Sequence, residues 1–496
     1  MITPTCQAAL ALALLLSSFL VTGCGKKAGD SADVIVLHTG RLRGNVYPAE
    51  LQSISPLQHY QFLAGYVKKV REEAKASGAK VVLVDLGDSL QGSFASYATD
   101  SDNMVTLFNA LEYDAIALSN LDNAVRPGTL SKLKAAVLNP FANAEGEPAT
   151  EGTAFGTKLN KGDMGVILMA NFYGDVSNEA HPDRFPAWFG TTPSDVIPFR
   201  DYPGLAKNLG PKAPGDLALL TWMKFESPTD PPAKFLEEIQ RAGVDATLAH
   251  QIYGRNQKDV WSESGLVDWL PPVSLNILRN NGGFAVARVD LKKDGAAWKV
   301  LKHEILPMTA NTAQADPAIL EKIGAFAKTI EGADTLIAKL PSSFDQARIM
   351  KVYMKALAKI PGTEAVLYSG QSIRSDWSPG DLRASRVFNS LPWTTGIVQM
   401  TLTREQIAQA EKDIGLVSMI SSGTNGERPL KVTTSDYFGR IIATRLGLDP
   451  ASLLPTPETS EFGFFVSALK NSTEILLAPD AAGSEPPAAA PLTSTP

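Results

Sequence analysis

Cysteine and histidine are nearly missing from this chain of 496 residues, which has two of the first and five of the second. Both cysteines, Cys6 and Cys24, lie near the N-terminus, so the body of the protein is expected to hold neither a disulfide nor a thiolate metal site. The histidines are His38, His59, His181, His250 and His303, and no two are spaced as paired metal ligands. No block of Lys and Arg occurs and the formal net charge is −6, which argues against general nucleic-acid binding. The N-terminal apolar run, Ala8 to Val21, falls short of the roughly 20 residues that a spanning helix needs.

What remains is ordinary globular material, 44% hydrophobic and 20% charged, at a length that predicts two domains or more. The N-terminal apolar run ends in "VTGC", Val21 to Cys24. Small residues before a cysteine resemble a bacterial lipoprotein signal, which predicts removal of residues 1–23 and a lipid on Cys24. The alternative is an ordinary cleaved secretory signal. On the first reading residues 24–32 are a polar tether, and the protein sits in the cell envelope, periplasmic or surface-exposed, held to the membrane through that lipid. The Ala/Pro/Ser-rich stretch 479–496 predicts a disordered tail.

Between these ends, strand-like runs alternate with helical patterns. "DVIVLHT", "KVVLVDLGDS", "DAIALSN", "MGVILMANF", "GDLALLTWMKF" and "VDATLAHQIY" read as strands, and Gln58 to Ser77 as the first helix, with a further helix near Pro232 to Ala242. Alternation of this kind predicts an α/β layered domain whose working residues lie in loops past the carboxyl ends of the strands. "FAVARVDLKKDGAAWKVLKHEILPM" predicts a β-hairpin, and residues 313–341 a single helix linking two domains, 33–312 and 342–478. The second domain is expected to hold a helix over Ala347–Lys359, a strand in "EAVLYSG" and a hairpin-like "TGIVQMTLT", and residues 172–215 to form a long excursion. Two arginines, Arg41 and Arg43, follow the first strand with no acid beside them.

The ordered motifs resemble those of the bacterial 5′-nucleotidase family of metallophosphoesterases. "VIVLHTGRLRGNVYP" is similar to the family's His-Thr-Asn-Asp-x-His-Gly, and "VVLVDLGDSLQGS" to its Gly-Asp motif with the trailing Gln-Gly-Ser. "NALEYDAIALSNLDNA" resembles the stretch ending in Gly-Asn-His-Glu, and "VDATLAHQIY" stands in the place of Gly-His-x-His. "LYSGQSIRSDWSPGDL" and "LPWTTGIVQMTLTREQI" are similar to the substrate domain's Asn-x-Gly-Gly-x-Arg and Leu-Pro-Phe-x-Asn regions. The resemblance implies an N-terminal calcineurin-like metallophosphoesterase αββα sandwich followed by a C-terminal α/β 5′-nucleotidase substrate domain.

The resemblance also implies a ligand set, and here the chain departs from it. The family's first Asp and His fall on Arg41 and Arg43, which stay protonated and cannot ligate a cation. Asp88 and Asn120 are retained, the catalytic His is Leu121, and the acid after it is Asp122. The remaining histidine positions fall near Trp222 and on Gln251 and Tyr253, with His250 one residue out of register. In the second domain Arg374 matches the substrate-contacting arginine, while Ser369, Gln371 and Ser372 replace the Asn and paired Gly. The expected outcome is a degenerate site, with no metal and no cofactor, in a binding or scaffold module. Its expected partners are a phosphate-like anion at Arg41 and Arg43 or an envelope protein. Arg41 and Arg43 have a second reading, as internal counter-charges to Asp88 and Asp122. The alternative function is a hydrolase of nucleotides or other phosphate esters that uses a divalent metal, Mn or Zn and as few as one ion, with Asp88, Asn120, Asp122 and His250 in rearranged roles. A non-phosphate ester, such as a sulfur-carrier adduct, is a third option.

Overall fold

The first strand, Val34–Thr39 (β1), is an apolar run buried on both faces, and the next, Lys80–Asp85 (β2), runs parallel to it. The crossover between them is the helix Pro56–Ser77, opened by a proline at its first position. Its Tyr60, Leu63, Val67, Val70 and Ala74 recur every three to four residues and are all buried, which seats one stripe of the helix on the sheet. The computed structural model describes residues 31–40, 42–44, 56–119, 122, 125, 127–143, 145–173, 197–198, 201–224, 239, 241–251, 285–295, 297–421, 424, 428–449, 452–457 and 460–477, a few element ends by backbone alone.

The remaining strands of the first lobe are Ala115–Ala117 (β3), Ala136–Leu138 (β4), Phe141–Ala142 (β5), Gly156–Lys161 (β6), Met164–Tyr173 (β7), Ile197–Pro198 (β8), Leu217–Lys224 (β9), Ala246–Gln251 (β10), Ala285–Asp294 (β11) and Ala297–Pro307 (β12). With β1 and β2 they form a six-stranded sheet in the order β12-β11-β1-β2-β3-β4, a four-stranded sheet in the order β10-β9-β7-β6 and a two-stranded pair, β5-β8. Side-chain alternation sorts the core into layers. Val34, Val36, Val82 and Val84 face Val166, Leu168, Leu217 and Leu219 of the second sheet. Ile35, Leu37 and Leu83 face the helices Pro56–Ser77 and Asp102–Leu111. The outer face of the second sheet, with Ile167, Met169 and Leu220, is covered by Tyr202, Ile239 and Ala242. This is the αββα sandwich, helices outside and two sheets within.

The second lobe holds a five-stranded sheet in the order β17-β14-β18-β16-β19. Its strands, with the small pair β13 and β15, are Leu336–Leu340 (β13), Ala365–Tyr368 (β14), Gly380–Arg383 (β15), Ile397–Leu402 (β16), Val417–Ile420 (β17), Leu430–Ser435 (β18) and Leu454–Pro455 (β19). The helices Gln346–Leu357, Ala384–Ser390, Arg404–Ile414, Asp436–Leu446 and Glu461–Leu477 complete it.

Two local expectations are corrected. Residues 313–341 are not one helix: Ala318–Gly324 and Ala327–Ala333 are separate short helices, and Leu336–Leu340 is a strand. That strand pairs antiparallel with β15, a partner some forty residues on, and the long-range ladder overrides the local helical period. "TGIVQMTLT" is not a hairpin but the single strand β16, paired with β18 and β19. The segment between the lobes crosses the first helix so closely that a Cβ on Gly65 would lie 1.8 Å from the Gln314 carbonyl oxygen. Glycine is required at that crossing.

Candidate functional site

The parallel register Thr39↔Asp85 and Asp85↔Ile116 brings the carboxyl ends of β1, β2 and β3 side by side. Their loops are sewn together by backbone and hydroxyl contacts. Arg43 N donates to Asp88 O at 3.1 Å and Gly44 N to Ser89 O at 2.8 Å. Leu42 N donates to Ser89 Oγ at 3.1 Å. Arg43 and Asp88 both hold the left-handed conformation, φ 53° and 55°, which non-glycine residues adopt sparingly and which collects at functional loops. Gly44 (φ 64°) has no alternative: a Cβ there would lie 2.3 Å from Ser96 Oγ.

Arg43 Nε donates to Asp88 Oδ2 at 3.0 Å. The Asp88 side chain is 2% exposed and that of Arg43 is 24% exposed. Asp122 lies beneath this pair and is an acceptor four times over. Its Oδ2 takes Asp88 N (2.7 Å), Ser119 N (3.0 Å) and Ser119 Oγ (2.9 Å), and its Oδ1 takes Leu90 N (2.9 Å). One carboxyl thus joins the β2 and β3 loops, although burial, and next the charge of Asp88, push its pKa up to about 6.

Sequence reasoning missed the next layer. Asp85, the last residue of β2, is fully buried and accepts from Thr39 Oγ1 (2.7 Å), Ser89 Oγ (3.0 Å) and Gly87 N (2.9 Å). Tyr113 lies 2.8 Å from Thr39 Oγ1 and extends the network. Burial raises Asp85 to about 7. The available signal was an acid closing an otherwise apolar strand, Lys80–Asp85. His38, at the end of β1, is lowered to about 3 by burial and then by His303, so it stays neutral and offers no proton near neutral pH.

The structure therefore brings Arg43, Asp88 and Asp122 together. Arg41, Asn120, Leu121, Tyr253, Cys24 and the side chains of Trp222, His250 and Gln251 lie outside the described residues. Among the described residues no group of three or more His, Cys, Asp or Glu is placed to share a metal ion. The described side chains by themselves gather no dimetal centre. The Arg43 guanidinium donates to one of the two Asp88 carboxyl oxygens, Oδ2, and the lone pairs of Asp122 are spent on N–H and O–H donors.

In the second lobe Arg374 donates its backbone N–H to Ser390 O at 2.9 Å, and its guanidinium lies over the Trp393 ring, 4.5 Å from the centroid. Trp393 Nε1 donates to Ser372 O at 3.2 Å, which fixes the ring. Trp377 is fully buried and donates to Ser390 Oγ, and Phe438 is core. The two lobes meet directly beyond the site. Ser93, which closes the β2 loop and donates to Gly44 O, caps the short helix Phe94–Ala98. Phe94 and Tyr97 of that helix pack on Phe388 and Phe462 of the second lobe, with ring centroids 4.9–6.3 Å apart.

No family model matches this sequence, and no curated protein does so either. Solved structures do match. A 5′-nucleotidase precursor from Thermus thermophilus aligns over 88% of this chain and 96% of its own at 15% identity, with a TM-score of 0.56. The sulfate thiohydrolase SoxB of Thermus thermophilus, in complex with glycerol, aligns over 89% and 94% at 14% identity, also at 0.56. A 5′-nucleotidase from Candida albicans aligns over 89% and 98% at 10% identity, with a TM-score of 0.55. The alignments run through both lobes, so this chain has the two-domain 5′-nucleotidase fold, a calcineurin-like sandwich joined to an α/β domain.

Proposed function

We propose that the chain is a non-catalytic module of the bacterial cell envelope, tethered by a lipid on Cys24, that serves as a binding platform or scaffold on a 5′-nucleotidase frame. The module comprises a metallophosphoesterase-like domain over 33–312 and a substrate-like domain over 342–478. One observation carries the reading: the Arg43 guanidinium is seated on Asp88 Oδ2 at 3.0 Å. A permanently charged group there repels a divalent ion at contact distance, and with Asp122 committed to four donors the described loops have no second carboxylate to gather one. The position of the general acid falls on Leu121, and His38 is neutral, so neither supplies a proton to a leaving group.

The ligand of such a platform is a phosphate-like anion at Arg41 and Arg43, or an envelope protein. Metal analysis of the purified chain, with phosphatase assays on nucleotides in added Mn²⁺ and Zn²⁺, tests the reading. The expected result is substoichiometric metal and no turnover; one bound ion or more per chain together with hydrolysis overturns it. The second reading, a phosphoester hydrolase with rearranged ligands, is favoured by the fold alone, and the same assay decides between them. Detergent-phase partitioning tests the tether. The intact chain should enter the detergent phase and Cys24→Ser should leave it.

A further inference from the structure

The second lobe buries an acid that the reading above does not use. Glu461 opens the C-terminal helix Glu461–Leu477 and is 2% exposed. Its Oε2 accepts from Tyr353 Oη (3.0 Å) and Tyr368 Oη (2.7 Å), and its Oε1 from Thr395 Oγ1 (2.7 Å). Its backbone N donates to Thr395 O at 2.7 Å, and that of Phe462 to Trp393 O at 3.0 Å. One side chain thus ties the helix Gln346–Leu357, β14 and the loop before β16 to the start of the last helix. The next residue, Phe462, carries the ring that meets the first lobe 4.9 Å from Tyr97, and it packs 5.0 Å from Phe388 of its own lobe.

Among the described residues no cation forms an ion pair with this acid. The nearby charged group acting on it is Asp436, itself held by Arg440 at 2.9 Å. On the other packed elements, Arg348 lies over the Phe344 ring, Arg386 donates to Asp381 O, and Lys339 is exposed. Lys351 and Lys355 stand about 200° around their helix from Tyr353.

We propose that Glu461 is a proton-operated latch on the joint between the two lobes. Protonated, it seats the first turn of the C-terminal helix and holds Phe462 against Phe94 and Tyr97. Ionised, it draws that turn toward water and loosens the aromatic contact. Burial raises the folded-state pKa to about 7, against the hydroxyl donors, which act to lower it. A raised value means that the latch contributes fully below the unfolded carboxyl range and is lost as pH rises through about 7. This inference does not depend on whether the first lobe is catalytic.

Hydrogen exchange on the full chain tests it, read at the Phe94–Ala98 helix across the joint and corrected for the intrinsic pH dependence of exchange. In the native sequence, protection of those amides should fall about tenfold between pH 6 and pH 8, the range over which a group titrating near 7 changes its charge. Glu461→Gln keeps the shape and the acceptor and should remove the pH dependence. Thr395→Val removes one donor from the carboxylate and should move the midpoint upward. The latch is overturned if Glu461→Gln retains the slope, since Asp85 and Asp122 would then carry it. It is also overturned if only the C-terminal helix responds while Phe94–Ala98 does not.

Discussion

Each lobe buries carboxyl groups, and Asp88 in the first and Glu461 in the second are accommodated by different means. In the first, Asp88 is met by the fixed charge of Arg43 and Asp122 by three N–H groups and a hydroxyl. In the second, Glu461 is met by three hydroxyls and, among the described residues, by no cation. A guanidinium answers a buried acid permanently and excludes other cations, whereas hydroxyls leave the acid free to take a proton. The Arg43–Asp88 pair builds a closed, metal-averse contact, whereas Glu461, like Asp85 deeper in the first lobe, is a group whose charge depends on pH.

The most damaging way to test this contrast is Asp122→Ala. It would leave the buried N–H groups of Asp88, Leu90 and Ser119 without their acceptor, at 1–3 kcal/mol each before relaxation, so a loss of about 4 kcal/mol is expected in urea unfolding. A loss below about 1 kcal/mol would show that water replaces the carboxylate and that Asp122 is no clamp. Next comes Arg43→Ala, which removes a guanidinium 3.0 Å from the buried Asp88 carboxylate and should cost about 3 kcal/mol. The double variant Arg43→Met with Asp88→Asn should recover most of that loss, because asparagine tolerates the left-handed backbone and carries no charge. If the single and double variants are equally unstable, the pair is not what holds the loops.

The first-lobe cluster was legible because its residues follow strand ends. Asp88 and Asp122 sit just past apolar runs, so reading the strands located the loops, and Arg43 stood out as a cation among expected ligands. The depth of Asp85 was not legible, since an acid closing a strand is commonly exposed. The second-lobe cluster was invisible in sequence. Tyr353, Tyr368, Thr395 and Glu461 come from two helices, a strand and a loop, and up to 108 positions separate them. No local period records such a meeting. The misread helix over 313–341 has the same cause: a distant strand, β15, decided the conformation of Leu336–Leu340.

The smallest expected effect separates the two lobes most cleanly. Tyr353→Phe removes one of two hydroxyls from Glu461 Oε2 while keeping the ring against Tyr368 and Phe465, both 4.9 Å away. Above pH 8 the acceptor is an ionised carboxylate, and a hydrogen bond to a charged group is worth about 1.5 kcal/mol or more; with the second tyrosine still donating, a loss of about 1.5 kcal/mol is expected there. It should shrink as pH falls, because a protonated carboxyl needs fewer donors and the second tyrosine remains. The lost hydroxyl lowers the pKa of Glu461 in the native chain, so its removal should carry the fall in stability to higher pH. Thermal unfolding of native and variant chains from pH 5 to 9 would show this as two curves that converge in acid. Parallel curves would mean that the carboxyl keeps one charge state throughout, as a fixed pair does, and the distinction between the lobes would disappear.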